Sequence, residues 1–205
     1  NGGTVSVGAA SNLGSFGDLT FNSGVLSFTG SLSLMNDVML NAGGGTIDSD
    51  TNYINMSGMI SGVGDLIKVG GGTMMLSGSS AAFTGTAMVN EGSLELYGTL
   101  GTAGATGEMT VANGATLDGT GNYGGGVVVN AGGIVGPGNS IGTLGIGGDY
   151  TPLSGSVFSV EISPTTGDLL DVTGYANLNG NGFVDIMLLG NPDDYLDGTD
   201  SVTYT

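Results

Sequence analysis

The 205-residue sequence has no cysteine, no histidine, no arginine and no tryptophan, and Lys68 is its only basic residue. Without cysteine there are no disulfides, thiolate metal sites or cysteine nucleophiles. Without histidine, a Ser-His-Asp or Cys-His catalytic set and the usual zinc sites are excluded. One lysine against 18 acidic residues gives a net charge of −17. Such a chain cannot neutralise a phosphate backbone, which disfavours binding to nucleic acid, heparin-like polymers or an anionic membrane surface. No apolar run approaches the length of a membrane-spanning helix, and the first residues lack a basic region followed by an apolar core. If the protein is exported, its leader lies outside this sequence. Asn1 falls in mid-pattern and Thr205 inside an expected strand, so the sequence reads as a piece of a longer chain.

What is abundant is glycine, with 44 residues, beside 39% hydrophobic residues. The glycines follow no every-third-residue rule and only four prolines accompany them, so collagen is excluded. Val, Ile, Leu, Met and Phe recur in short bursts, which a flexible Gly/Ser linker would not show. Helical spacing is nearly absent. Alternation recurs instead, as in Leu19-Thr20-Phe21 and Val157-Phe158-Ser159-Val160-Glu161-Ile162, and points to short strands separated by turns. A sandwich, a barrel and a solenoid all fit that pattern.

An internal repeat decides among them. A short strand, then Asn, one residue, Gly and often another strand, occurs at Asn22-Ser-Gly24, Asn41-Ala-Gly43, Asn90-Glu-Gly92 and Asn130-Ala-Gly132, with a shifted version at Asn113-Gly114. Leu66-Ile-Lys68-Val-Gly70 is read as the same phrase with Lys in place of Asn. The steps between these positions are 19, 27, 22, 23 and 17 residues. A loose period in the twenties is expected of a solenoid with one repeat per coil. Asn tolerates the left-handed backbone region and Gly adopts it freely, which suits sharp corners. Roughly nine coils, stacked about 4.8 Å apart, would make a rod about 40 Å long.

Two stretches also resemble a known family. Residues 62–98 contain Gly-Val-Gly-Asp-Leu-Ile-Lys68-Val-Gly-Gly-Gly-Thr73-Met-Met-Leu76-Ser-Gly78, then Phe83-Thr84-Gly85 and Val89-Asn-Glu-Gly92-Ser-Leu94. This resembles the passenger-associated transport repeat of bacterial autotransporters, with Met74 and Phe83 in place of the usual Leu and Tyr. Gly136-Pro137-Gly138-Asn139-Ser140-Ile141-Gly142-Thr143-Leu144 resembles a phrase found late in autotransporter passengers, and the segments that follow look like a C-terminal autochaperone-like region. The matches cover about residues 62–190. The resemblance implies an all-β, right-handed parallel β-helix with a C-terminal capping region, exposed on the bacterial surface. It also implies an outer-membrane barrel in the full-length precursor, which this sequence does not include.

All four prolines lie in the last third, and half the acidic residues follow Gly148. This shift places an expected boundary near 136, with regular coils over 1–135 and a capping, autochaperone-like region over 136–205. Candidate chemistry is thin. Lys68 is the only possible base for a polysaccharide lyase, and is expected instead to be a corner residue whose stem covers apolar surface. Asp48/Asp50, Glu91/Glu95 and Asp168/Asp171 are carboxylate pairs at short spacing, but no aromatic platform for sugar accompanies them. Asp193, Asp194, Asp197 and Asp200 crowd one turn-rich segment, and such hard oxygen ligands suit calcium, although the spacing matches no EF-hand. Gly70-Gly71-Gly72 and Gly124-Gly125-Gly126 are expected turns rather than phosphate cradles, and the nine methionines are expected core filler. The expected protein is therefore not an enzyme. It is a structural or adhesive segment on the bacterial surface, whose partner is a host or matrix component or copies of itself. A self-assembling extracellular filament or biofilm-matrix protein is the alternative.

Overall fold

The computed structural model describes residues 2–14, 17–179 and 182–189. Among them, helix is limited to one 3-10 turn, Ala10–Leu13. Everything else regular is short parallel strand, wound into a β-solenoid of three faces.

One coil shows how the sequence makes the shape. Leu66–Val69 runs along the first face, Thr73–Leu76 along the second and Ser79–Ser80 along the third, and the chain then returns to the first face at Ala87–Val89. Gly70 sits between the first two strands at φ 81°, and a Cβ there would press on the backbone of Asp50 in the preceding coil. A corner this sharp, packed this closely on the coil beneath, requires glycine. Each strand then pairs in parallel with its counterpart one coil away. Thr46, Ile67 and Met88 are successive partners on the first face, 21 residues apart.

The first face is eight strands deep, from Thr4–Val7 to Tyr150–Pro152. The second is also eight deep, from Leu32–Leu34 to Phe183–Leu188. The third is divided into a sheet of three strands and a sheet of five. The division falls between Ile60–Gly62 and Ser79–Ser80, where the Ile60 amide donates to the Ser80 hydroxyl at 2.8 Å instead of to a carbonyl of the next strand. Alternate residues of every face point inward and stack in columns. Leu26, Ile47, Val89, Val111 and Val129 share one column, and Ile54, Met74, Leu94, Leu117 and Val135 share another, all at most 3% exposed. Removing such columns from water is the main source of stability in a fold without disulfides.

The structure revises the reading of the repeat. The Asn-x-Gly phrases do not form one column. Asn22 and Asn41 follow paired third-face strands, Leu19–Phe21 and Val38–Leu40, whereas Asn90 and Asn130 follow first-face strands. Lys68 pairs with Val89, so Val69 rather than Lys68 occupies the column of Asn90. The apparent step of 27 residues crosses from one corner of the coil to another. The expectation for methionine also needs correction. Met56, Met74 and Met109 are core, but Met35, Met39, Met59 and Met187 are exposed, because strand parity or corner position turns them outward.

Strand Ile134–Pro137 runs through position 136 and pairs along its whole length with Thr116–Gly119. The last described coil is the longer one: Val135 and Phe158 are partners 23 residues apart, as Leu94 and Leu117 are, whereas Phe158 and Val184 are 26 apart. The loop Ser163–Gly167 accounts for part of that length, held by the Ser163 amide donating to the Thr166 carbonyl. Past Tyr150, among the described residues, the inward side chains do not close the lumen, and an apolar hollow is lined by Phe158, Val160, Ile162, Val172 and Phe183.

Candidate functional site

The one cation of the chain is inside the wall. Lys68 is 1% exposed and lies in the inward column between Ile47 and Val89. Its ammonium reaches the corner after its own strand and donates to the carbonyls of Val69 at 3.0 Å, Gly70 at 2.7 Å and Glu91 at 2.9 Å. Three donors thus meet three acceptors, which is what an ammonium needs when it leaves water. The Glu91 carboxylate closes the corner from outside by accepting from the Gly70 amide at 2.9 Å. Burial lowers the Lys68 ammonium to about 8, against the opposing pull of Glu91 and Asp48. The expected corner residue does reach a corner with its ammonium, but its whole side chain lies in the core. Leu66-Ile67-Lys68-Val69 is apolar at every position but one, so alternation alone does not say which parity faces in.

On the outside of the second face, one column brings two carboxylates together. Register places Asn55, Met75, Glu95, Asp118 and Gly136 one above another on successive coils. The Tyr53 hydroxyl donates to Glu95 Oε2 at 3.1 Å and touches Met75 Sδ at 2.7 Å. Burial and then Glu95 raise the Tyr53 hydroxyl above its ordinary value. Asp118 is half-buried, and its Oδ1 is inaccessible and has no hydrogen-bond partner. Burial, with Glu95 adding to it, pushes the Asp118 carboxyl up to about 7. Gly136 places no side chain beside Asp118, so a hollow opens there, lined also by Thr116, Ser159, Glu161 and Asp168. Asp118 and Tyr53 were not singled out from sequence. Aligning Ser93-Leu-Glu-Leu96 with Thr116-Leu-Asp-Gly119 on their leucines would have placed the two carboxylates in one column.

The carboxylate pairs singled out from sequence have separate local roles. Asp48 accepts from the Ser27 hydroxyl at 3.1 Å and from the Asp50 amide at 2.9 Å, which shapes a turn. Glu91 serves the Gly70 corner, while Glu95 belongs to the outer column. Asp168 accepts from the amides of Gly142 at 2.8 Å and Glu161 at 2.7 Å, which ties the long coil to its neighbour, whereas Asp171 is exposed. Among the described residues, no group of three or more Asp or Glu side chains is arranged to hold a metal ion. Asp193, Asp194, Asp197 and Asp200 lie outside the described residues.

No protein-family profile matches the chain. Two curated proteins are similar to it. "Adhesin BmaC autotransporter" of Brucella suis biovar 1 (strain 1330) is 34% identical over 182 residues, which is 88% of this chain and 5% of the adhesin. "Extracellular serine protease" of Serratia marcescens is 32% identical over 115 residues, which is 56% of this chain and 10% of the protease. The chain thus spans a small fraction of the curated relatives it matches. The likeness to an autotransporter passenger agrees with the autotransporter adhesin among these homologues, and the chain is an extracellular or cell-surface segment.

Proposed function

We propose, from the premise that this chain is a segment homologous to an autotransporter adhesin, that it is a non-catalytic adhesive stalk. The observation that carries this reading is the unbroken register. Two parallel ladders run eight strands deep around one continuous core. A body whose coils are held by main-chain hydrogen bonds at every step resists bending, and so holds more distal parts of a longer chain away from the cell surface.

The placement of the titratable groups supports the absence of catalysis. Lys68, the only side chain able to act as a lyase base, is sealed from any polysaccharide by its own coil. The carboxylates of the candidate pairs bond locally or face solvent singly rather than converging on one point. The serine protease relative shares only part of the chain, and no histidine is present here to activate a serine.

In this reading, residues 136–205 cap the stack and help nucleate folding outside the cell. Capping keeps a free strand edge from pairing with other chains. Adhesion uses outward columns of Thr, Ser and Asn to contact a host or matrix component. Asp193, Asp194, Asp197 and Asp200 supply oxygen ligands to calcium. Electron microscopy across a range of protein concentrations, with and without calcium, tests this reading. Single short rods that bind cells or matrix support it. Long fibres that form with rising concentration would replace it with self-assembly, and rods unchanged by calcium would remove the calcium site.

A further inference from the structure

We propose that Asp118 keeps its proton against the Glu95 carboxylate of the adjacent coil and forms a pH-sensitive seam in the middle of the solenoid. The register makes Glu95 and Asp118 direct neighbours on the outer side of the second face. Parallel strands lie about 4.8 Å apart, and register puts both side chains on the same side of the sheet, so two charges shielded from water there would repel each other at a cost.

The surroundings offer no other way to neutralise the pair. On the coil before Asp118, Glu95 accepts a hydrogen bond from Tyr53, which is neutral. On the coil after it, Gly136 contributes no side chain, and Ser159 on the next coil is uncharged. Glu161 and Asp168 line the same hollow and only add negative charge, and Asp168 is already engaged by two main-chain amides. The chain's one cation, Lys68, is bound by three carbonyls inside the wall. With no arginine or histidine in the sequence, the proton is the only cation these residues can supply.

The buried Asp118 Oδ1 without a partner makes ionisation costly in the folded chain. Held as an acid, Asp118 donates to Glu95 and joins the two coils. Ionised, it sets two negative charges against each other in the same ladder. The folded chain keeps this proton to a higher pH than the unfolded chain does. The contribution to stability is therefore complete in acid and lost as pH rises through about 7.

The test uses the whole chain. Carbon-13 carboxyl NMR from pH 3 to 9 should show one resonance with a midpoint near 7. It should be absent in Asp118→Asn and moved to a lower midpoint in Glu95→Gln. In urea unfolding, the folding equilibrium constant should fall about tenfold from pH 6 to pH 8 relative to that of Asp118→Asn, which shares the Lys68 contribution. If every carboxyl titrates below pH 5, or stability relative to Asp118→Asn does not change between pH 6 and 8, the seam does not exist. If a high midpoint persists unchanged in Glu95→Gln, burial alone sets it and the seam between the two coils is refuted. If Asp118→Asn does not fold, the Glu95→Gln shift both assigns the resonance and decides the question.

Discussion

The coils over residues 45–146 and those over 150–189 follow the same inside-outside alternation, yet they differ in how much they bury. In the middle, Leu94, Leu96, Leu117 and Val135 are at most 1% exposed. Toward the end, Phe183, Val184, Ile186 and Leu188 are each more than half exposed, although Phe183–Leu188 pairs along its full length with Val157–Ile162. Pairing and burial are therefore separate achievements. A strand acquires its hydrogen bonds from one neighbour, but its inward side chains are sealed only when coils stack on both sides and the lumen closes. A solenoid coil is in this sense half a core, which is why repeat proteins gain stability from their interfaces.

The comparison can be broken most directly by placing a charge in the closed lumen. Leu117→Asp should cost more than about 4 kcal/mol, enough to abolish cooperative unfolding of the middle coils by circular dichroism. Next comes Lys68→Ala. It removes three hydrogen bonds and opens a cavity between Ile47 and Val89, so chemical denaturation should register a loss of about 3 kcal/mol.

A smaller effect follows from the buried ammonium itself. The folded chain releases the Lys68 proton near pH 8, while the unfolded chain keeps it to about 10.5. The unfolded state thus binds more protons in between, and stability rises with pH across that window. Between pH 7 and 10 the wild type should gain about 2 kcal/mol relative to Lys68→Met, measured by urea midpoints of the two proteins side by side. The smallest effect belongs to the last described strand. Val184→Ala should change stability by less than about 0.5 kcal/mol, because the side chain it shortens is already 62% exposed. A loss of about 2 kcal/mol there would show that the hollow is filled in solution.

Much of this was legible in residues. Short alternating bursts, glycine at the corners and a loose period in the twenties led to a parallel solenoid before any coordinate. The Phe83-Thr84-Gly85 phrase, noted for its family resemblance, proves structural: Phe83 is fully buried and pairs across to Gly62. The candidate sites were less legible. Glu91 and Glu95 look like a pair in sequence, but Gly92 turns the chain between them at φ 64° and sends each to a different task. Glu95 and Asp118 look unrelated, and only the register between coils brings them together.

The sequence by itself determined the class of fold and excluded cysteine- and histidine-based sites within these residues, because alternation, turn chemistry and missing residue types are local properties of the chain. Tertiary structure decided the register: that Lys68 faces inward onto three carbonyls, that the asparagines mark two different corners, and that two distant carboxylates stack. A strand's inward parity follows from the coils above and below it. Moving the pairing by one residue would exchange every inner and outer side chain.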